Sequence, residues 1–142
     1  MDRVVLDTVV FVRALINPHS RSGRLLADYS DHFVLLISNP TAQEILEVIQ
    51  RPELKRKLKT LGRLNIRNVI DLLTQAHFVE VGSVPAVVRD PEDVIIVATA
   101  IAGRADFIVS EDKDLLDLKQ ASGIPIVDTQ TFLARLEGLA RE

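Results

Sequence analysis

Apolar residues fall into two patterns along this chain. Short unbroken runs read as buried strands: Val4-Val5-Leu6, Phe33-Val-Leu-Leu-Ile37, Asp106-Phe-Ile-Val-Ser110 and Ile124-Pro-Ile-Val127, with Phe78-Val-Glu-Val81 a further short one. Between them lie stretches with helical character: Val9 to Ile16, Ser22 to Tyr29, Asn39 to Gln50, roughly 53–60 and 64–76, Pro91 to Ala102, Leu115 to Leu118, and an amphipathic segment from Thr129 to Arg141. Asn17-Pro18 stops the first helix, and Pro40 sits in a first turn, where its missing N–H costs little. The stretch from Pro91 to Ala102 is apolar nearly all round and is expected to be buried. Pro125 suggests a sheet edge. Strands that are continuously apolar and alternate with helices call for a parallel sheet covered on both faces, a three-layer α/β/α architecture.

The 142 residues suit one domain spanning 1–142, and a hydrophobic content of 47% suffices for a sizeable core. No internal repeat, low-complexity run or Pro/Gly/Ser-rich linker interrupts it. The first apolar run is short and breaks at Asp7, so neither a signal peptide nor a membrane span is expected. The absence of cysteine excludes disulfides and thiolate metal sites and fits a reducing cytoplasm. A net charge of -3 is not that of a protein gripping nucleic acid by bulk electrostatics. Any such substrate would need local charge or a bound cation.

One residue breaks the opening pattern. Between Val4 and Val12, seven of nine residues are aliphatic or aromatic, yet Asp7 stands among them. A charge there is costly unless it has a partner. Ligands of parallel α/β sheets bind at the strands' carboxyl ends, and other acids fall at the same level. Glu44 is early in the helix after the second strand, Asp90 and Asp93 open the helix from Pro91, and Asp112 and Asp114 follow the strand ending at Ser110. Two unit charges 4 Å apart repel by about 4 kcal/mol at an effective dielectric of about 20. The nearby bases are few: Arg89, Lys113 and Arg13. A hard divalent cation, Mg²⁺ or Mn²⁺, would relieve the repulsion and could activate water at a phosphodiester. Structural readings stand beside this one. Asp90 and Asp112 are well placed as helix caps, and Asp93 suits a helix N-terminus. On the helix of Glu44, the apolar set Ile45, Leu46, Val48 and Ile49 turns Glu47 to solvent and leaves Glu44 at its border. Asp7 caps no Gly- or Pro-marked turn, so its structural reading is the weakest.

These segments together resemble a PIN-domain ribonuclease. Val5-Leu-Asp-Thr-Val-Val-Phe11 is similar to that family's V-L-D-T-N-V-h opening, h being apolar. Ser38, Glu44-Ile-Leu-Glu-Val-Ile49 and Arg51-Pro52 resemble its second acidic motif, Arg89-Asp-Pro-Glu-Asp-Val94 its D-P-x-D, and Ala105-Asp-Phe-Ile-Val-Ser-Glu-Asp-Lys-Asp-Leu-Leu116 its A-D-h-I-V-[ST]-x-D-x-D-L-L. The match runs over roughly residues 3 to 132 and is nearest to toxin components of toxin–antitoxin pairs, of which VapC-type toxins are relatives. The resemblance implies a central parallel sheet of about five strands and Mg²⁺- or Mn²⁺-dependent endoribonuclease activity. Metal would be held by the catalytic acids Asp7, Glu44, Asp93 and Asp112, with Asp90 and Asp114 supporting and Thr8 and Ser110 hydrogen-bonding within the site. It also implies a homodimer and a small antitoxin that covers the site. One position departs: the family's Asn is Val9 here, and loss of an outer amide of that kind commonly costs 10–100-fold in affinity or activity.

Seven basic residues between Arg51 and Arg67, against the one acid Glu53, form a possible RNA or partner contact through Arg51, Lys55, Arg56 and Lys59; the alternative is a solvated helix face. His19, His32 and His77 show no ligand spacing, and Phe132, Leu133 and Leu136 suit a core or a dimer interface. The rival function is a catalytically weakened PIN-fold module that acts by binding a protein partner. A phosphoacceptor receiver domain ranks last, since Asp2 is too far from Asp7 and Lys113 lies inside the fourth acidic motif.

Overall fold

A computed structural model describes residues 1–54, 56, 63–82 and 91–141. Strand β1 (Asp2–Leu6) occupies the middle of the sheet, between β2 (Phe33–Ile37) and β4 (Phe107–Val109), and runs parallel to both. β3 (His77–Phe78) adds in parallel outside β2, and β6 (Ile124–Val127) in parallel outside β4. The five parallel strands expected are therefore present. A sixth, β5 (Gln120–Ala121), closes the β6 edge in antiparallel fashion, so the order is β3-β2-β1-β4-β6-β5.

Why the strands lack polar alternation follows from what covers them. Successive side chains point to opposite faces, and both faces are dry. Val4, Leu6, Phe33, Leu35 and Ile37 pack into one core with Phe11, Leu15, Leu25, Ile45, Phe132 and Leu136. Val5, Leu36 and Ile108 pack into a second core with Ile96, Val97, Ala100, Leu115 and Ile126. The first core belongs to α1 (Thr8–Ile16), α2 (Arg21–Asp28), α3 (Asn39–Ile49), α4 (Arg63–Gln75), which contributes Leu73, and α7 (Thr129–Ala140), the second to α5 (Pro91–Ala102) and α6 (Lys113–Leu118). The three-layer α/β/α arrangement is thus observed. None of the described helices is long and apolar enough to cross a membrane.

Several elements differ from expectation. β3 is His77–Phe78 rather than 78–81, because only Leu36 and Ile37 of β2 pair with it. β6 is not the edge: Ser122 (φ 50°) and Gly123 (φ 80°) make a two-residue turn that folds β5 back onto β6, with Gln120 opposite Pro125. Two positive-φ residues are what a type I′ hairpin requires, and a Ser-Gly pair is its sequence mark. α5 is buried along one side but not all round, since Ile101 is 36% exposed. Leu46, expected in the apolar stripe of α3, is exposed. Phe132, Leu133 and Leu136 are buried within the chain, which resolves the terminal helix as core. Most of the expected helix at 53–60 lies outside the described residues, although 52–54 and 56 are helical. Gly23 of α2 meets the turn after α1 so closely that a Cβ would stand 2.3 Å from the Pro18 carbonyl oxygen.

Candidate metal centre

In a parallel sheet the carboxyl ends of all strands, and the helix N-termini that follow them, share one rim. Leu6 hands over to Asp7 at the end of β1, Val109 to Ser110-Glu111-Asp112 at the end of β4, and Ile37 to Ser38 at the end of β2. On this rim a cleft of about 320 Å³ is lined by Asp7, Thr8, Val9, Arg13, Glu44, Asp93, Ile96, Glu111 and Asp112. The structure therefore brings Asp7, Glu44, Asp93 and Asp112, the four acids expected to hold metal, into one hollow. A second hollow of about 300 Å³ lies between α1, α2 and α4, carries two acids, Asp31 and Asp71, and shares no residue with the first.

Asp7 is 9% exposed. Its Oδ1 accepts from the Val9 amide at 3.3 Å, which makes it the N-cap of α1, and its Oδ2 accepts from the Ser110 hydroxyl at 2.7 Å. The carboxylate is thus tolerated in an apolar run through a helix N-terminus and a buried hydroxyl, favourable surroundings for an anion. The expectation that Asp7 has little structural role is corrected: it caps α1 although no Gly or Pro marks the turn. A carboxylate has about four lone-pair positions, so these two bonds leave capacity facing the cleft. Ser110, fully buried, also accepts from the Asp112 amide at 3.0 Å. One hydroxyl therefore ties Asp7 to the backbone of Asp112. Asp112 in turn caps α6 by accepting from the Asp114 amide at 3.0 Å, as its structural reading anticipated.

Asp93, in the first turn of α5, is 7% exposed, and Glu44 on α3 is half-buried at the border of its apolar stripe, with Glu47 in solvent. Thr8 lines the cleft and is buried. Asp114 is exposed and stands outside the cleft lining; its contribution here is the amide given to Asp112. Asp90, Lys55 and Lys59 lie outside the described residues, and Arg51 and Arg56 are exposed, away from the cleft. The three histidines are exposed.

Glu111 is the residue that motif reading passed over, because it fills a variable position in the fourth acidic motif. Its Oε1 accepts from the Thr129 amide at 3.1 Å and from the Thr129 hydroxyl, and its Oε2 lies 3.9 Å from an Arg13 guanidinium nitrogen. Its place directly between Ser110 and Asp112 was the available signal. Next to it, hydrogen bonding to Thr131 holds the Asp128 carboxyl below its ordinary value; Asp128 caps α7 from the end of β6.

The donor set suits a hard divalent cation: among the described residues, five carboxylates and no imidazole or thiolate line the cleft. Among the described residues no three acids already converge on a single point. Asp7 and Asp112 each turn one oxygen to their own helix.

A family model described as a PIN domain matches residues 3–114. Uncharacterized protein MJ1680 of Methanocaldococcus jannaschii is 34% identical over 122 residues, covering 82% of this chain and 75% of that protein. Among solved structures, PAE2754 from Pyrobaculum aerophilum superposes with a TM-score of 0.59 at 18% identity, over 96% of this chain and 90% of that one. VapBC2 from Rickettsia felis, bound to a DNA fragment from their promoter, gives 0.57 at 16% identity, over 89% of this chain and 98% of that one. At such identities these two structures establish the likeness of fold.

Proposed function

The chain belongs to the PIN-domain family, and from that premise we propose that it is a Mg²⁺- or Mn²⁺-dependent endoribonuclease, the toxin of a toxin–antitoxin pair. The observation that carries this reading is the meeting of Asp7, Glu44, Asp93 and Asp112 in one cleft at the carboxyl ends of the strands. The family at large is one of metal-dependent nucleases. The four acids would hold the cation; when bound, it supplies polarisation of a phosphate oxygen and a water of lowered pKa. The chain's own residues prepare that centre. Ser110 orients Asp7 and receives the Asp112 amide, and Asp7 caps the N-terminus of α1, where an anion is favoured. Thr8 and Ile96, both buried, line the cleft beside the acids. No side-chain nucleophile is needed. A cytoplasmic location, where cellular RNA lies, belongs to the same proposal. A homodimer and a small antitoxin complete the proposal, the latter supported by the fold shared with VapBC2.

The deciding experiment is cleavage of a mixed pool of single-stranded and structured RNA by wild type and Asp7→Asn, with Mg²⁺, Mn²⁺ or EDTA. Asn caps a helix about as well as Asp, and with its Oδ1 on the Val9 amide its Nδ2 can donate to the Ser110 hydroxyl, so the variant removes charge and spares the fold. Cleavage should need the metal and fall about 100-fold or more in the variant, beyond the loss typical of an outer-shell change. Full metal-dependent activity in folded Asp7→Asn sinks the assignment.

One observation favours the second reading, a PIN module that works by binding a protein. Val9, 42% exposed on the cleft wall, puts an apolar side chain where the family carries an amide. No cleavage by folded wild type with any metal would select that reading.

A further inference from the structure

The cleft has a charge problem that a metal site alone does not solve. Its described lining holds five carboxylates and a single cationic side chain, Arg13. A polyanionic substrate must approach through that mouth. Arg13 lies in the last turn of α1, six residues after Asp7. Helical side chains lean toward the helix N-terminus, so a long side chain at this position reaches back over Val9, one turn earlier, toward the strand ends. Both residues line the cleft.

Glu111 is built to keep it there. Two Thr129 donors fasten Oε1, leaving Oε2 facing Arg13 at 3.9 Å. The Arg13 side chain is 56% exposed, and Glu111's is 20% exposed. An ion pair that long and that wet adds little to stability. A guanidinium has five donors in a fixed fork that matches a phosphate, and one partner at 3.9 Å leaves most of that fork available.

We propose that Arg13 binds a backbone phosphate of the nucleic acid at the mouth of the acidic cleft, and that Glu111, clamped by Thr129, is the positioning residue that aims it. The proposal rests on the nuclease reading for its kinetic consequence, but binding can be read separately.

Two measurements test it. Steady-state cleavage of a single-stranded oligoribonucleotide with Mg²⁺ should give Arg13→Gln a KM raised about 10-fold, the worth of one charge-assisted hydrogen-bonded contact, with kcat within about 2-fold. Arg13→Lys, which keeps charge but not the fork, should recover part of the loss. Glu111→Gln still accepts from Thr129, so its KM should rise less, by about 2- to 3-fold, with an unchanged urea midpoint. Fluorescence anisotropy of the same labelled oligonucleotide on Asp7→Asn, which should leave it uncut, should show the slope of log K against log salt reduced by about 0.7 when Arg13→Gln is added, the value for one contact on a single strand. An unchanged KM and salt slope in Arg13→Gln overturns the proposal, as does a collapse of kcat at constant KM. If wild type does not cleave but Arg13→Gln still loses its share of salt-dependent binding, the nuclease reading fails and the phosphate site stands. If neither chain binds the oligonucleotide, both fall.

Discussion

The two ends of the central strands handle negative charge in opposite ways. At the amino end, Asp2 opens β1 and takes two bonds from Arg135, at 2.7 and 3.2 Å, while Asp106, just before β4, accepts from the Arg3 amide at 2.8 Å. Arg135 also lies 5.0 Å over the Phe107 ring, and its bond to Asp2 raises its pKa further. Acids there are matched by bases and tie α7 to the sheet. At the carboxyl end, among the described residues, one arginine faces five carboxylates in a cleft. The same residue type serves attachment at one end and the assembly of a cation site at the other. What separates them is the N-termini of α1, α6 and α7, whose caps Asp7, Asp112 and Asp128 lie at the carboxyl end and hold anions close without consuming them as ion pairs.

That contrast can be broken experimentally. The largest effect should come from the cation itself. If the carboxyl end binds Mg²⁺ in the folded state alone, a 100-fold excess over Kd raises the unfolding free energy by about 2.7 kcal/mol, seen in urea titrations. Asp7→Asn should lose this gain and Asp2→Asn should keep it; equal gains in both would erase the distinction between the ends. Ser110→Ala comes next. It removes the hydroxyl that aims Asp7 and receives the Asp112 amide, and should cost about 10–100-fold in metal-dependent cleavage, measured as kcat/KM.

Asp128 sharpens the comparison, because it sits on the carboxyl-end rim yet acts as a cap outside the cleft. Its folded-state pKa is lowered from 3.8 by its bonding to Thr131. Its stabilisation is therefore full above the unfolded value and is lost as pH falls through the lowered folded value. Asp128→Ala should be about 1 kcal/mol less stable at neutral pH, with the gap to wild type closing below about pH 4, read by urea unfolding across pH. The smallest effect belongs to the amino end. Arg135→Gln should cost less than about 1 kcal/mol, because the Arg135 side chain is half exposed and the ion pair is partly screened, and should leave cleavage unaltered. A large loss of cleavage there would mean the two ends are coupled.

Much of the fold was legible because burial on both faces writes itself as unbroken apolar runs: β1, β2, β4 and β6 could be placed from Val4-Val5-Leu6 and its counterparts. β5 was missed although Ser122-Gly123 carried its turn signal, since two residues are too few for any periodicity. For the site, Asp7, Glu44, Asp93 and Asp112 were legible through their motifs and their place just after strands. Capping alone could not have separated them from Asp128, because Asp7, Asp112 and Asp128 are all N-caps. Glu111 was missed: its place beside Asp112 could be read, but its pairing with Thr129, 18 residues away, could not.

By itself the sequence determined most of the elements and the rim on which the acids fall, because hydrophobic period is a local consequence of which residues must leave water. Tertiary structure alone decided the rest: that Ser110 reaches Asp7 across 103 positions, that Glu111 turns to Thr129 and Arg13, and that Asp128 is left outside the cleft. These depend on the register of β1 against β4 and β4 against β6. Register is set by how two packed cores settle on the sheet, and no single segment carries that information.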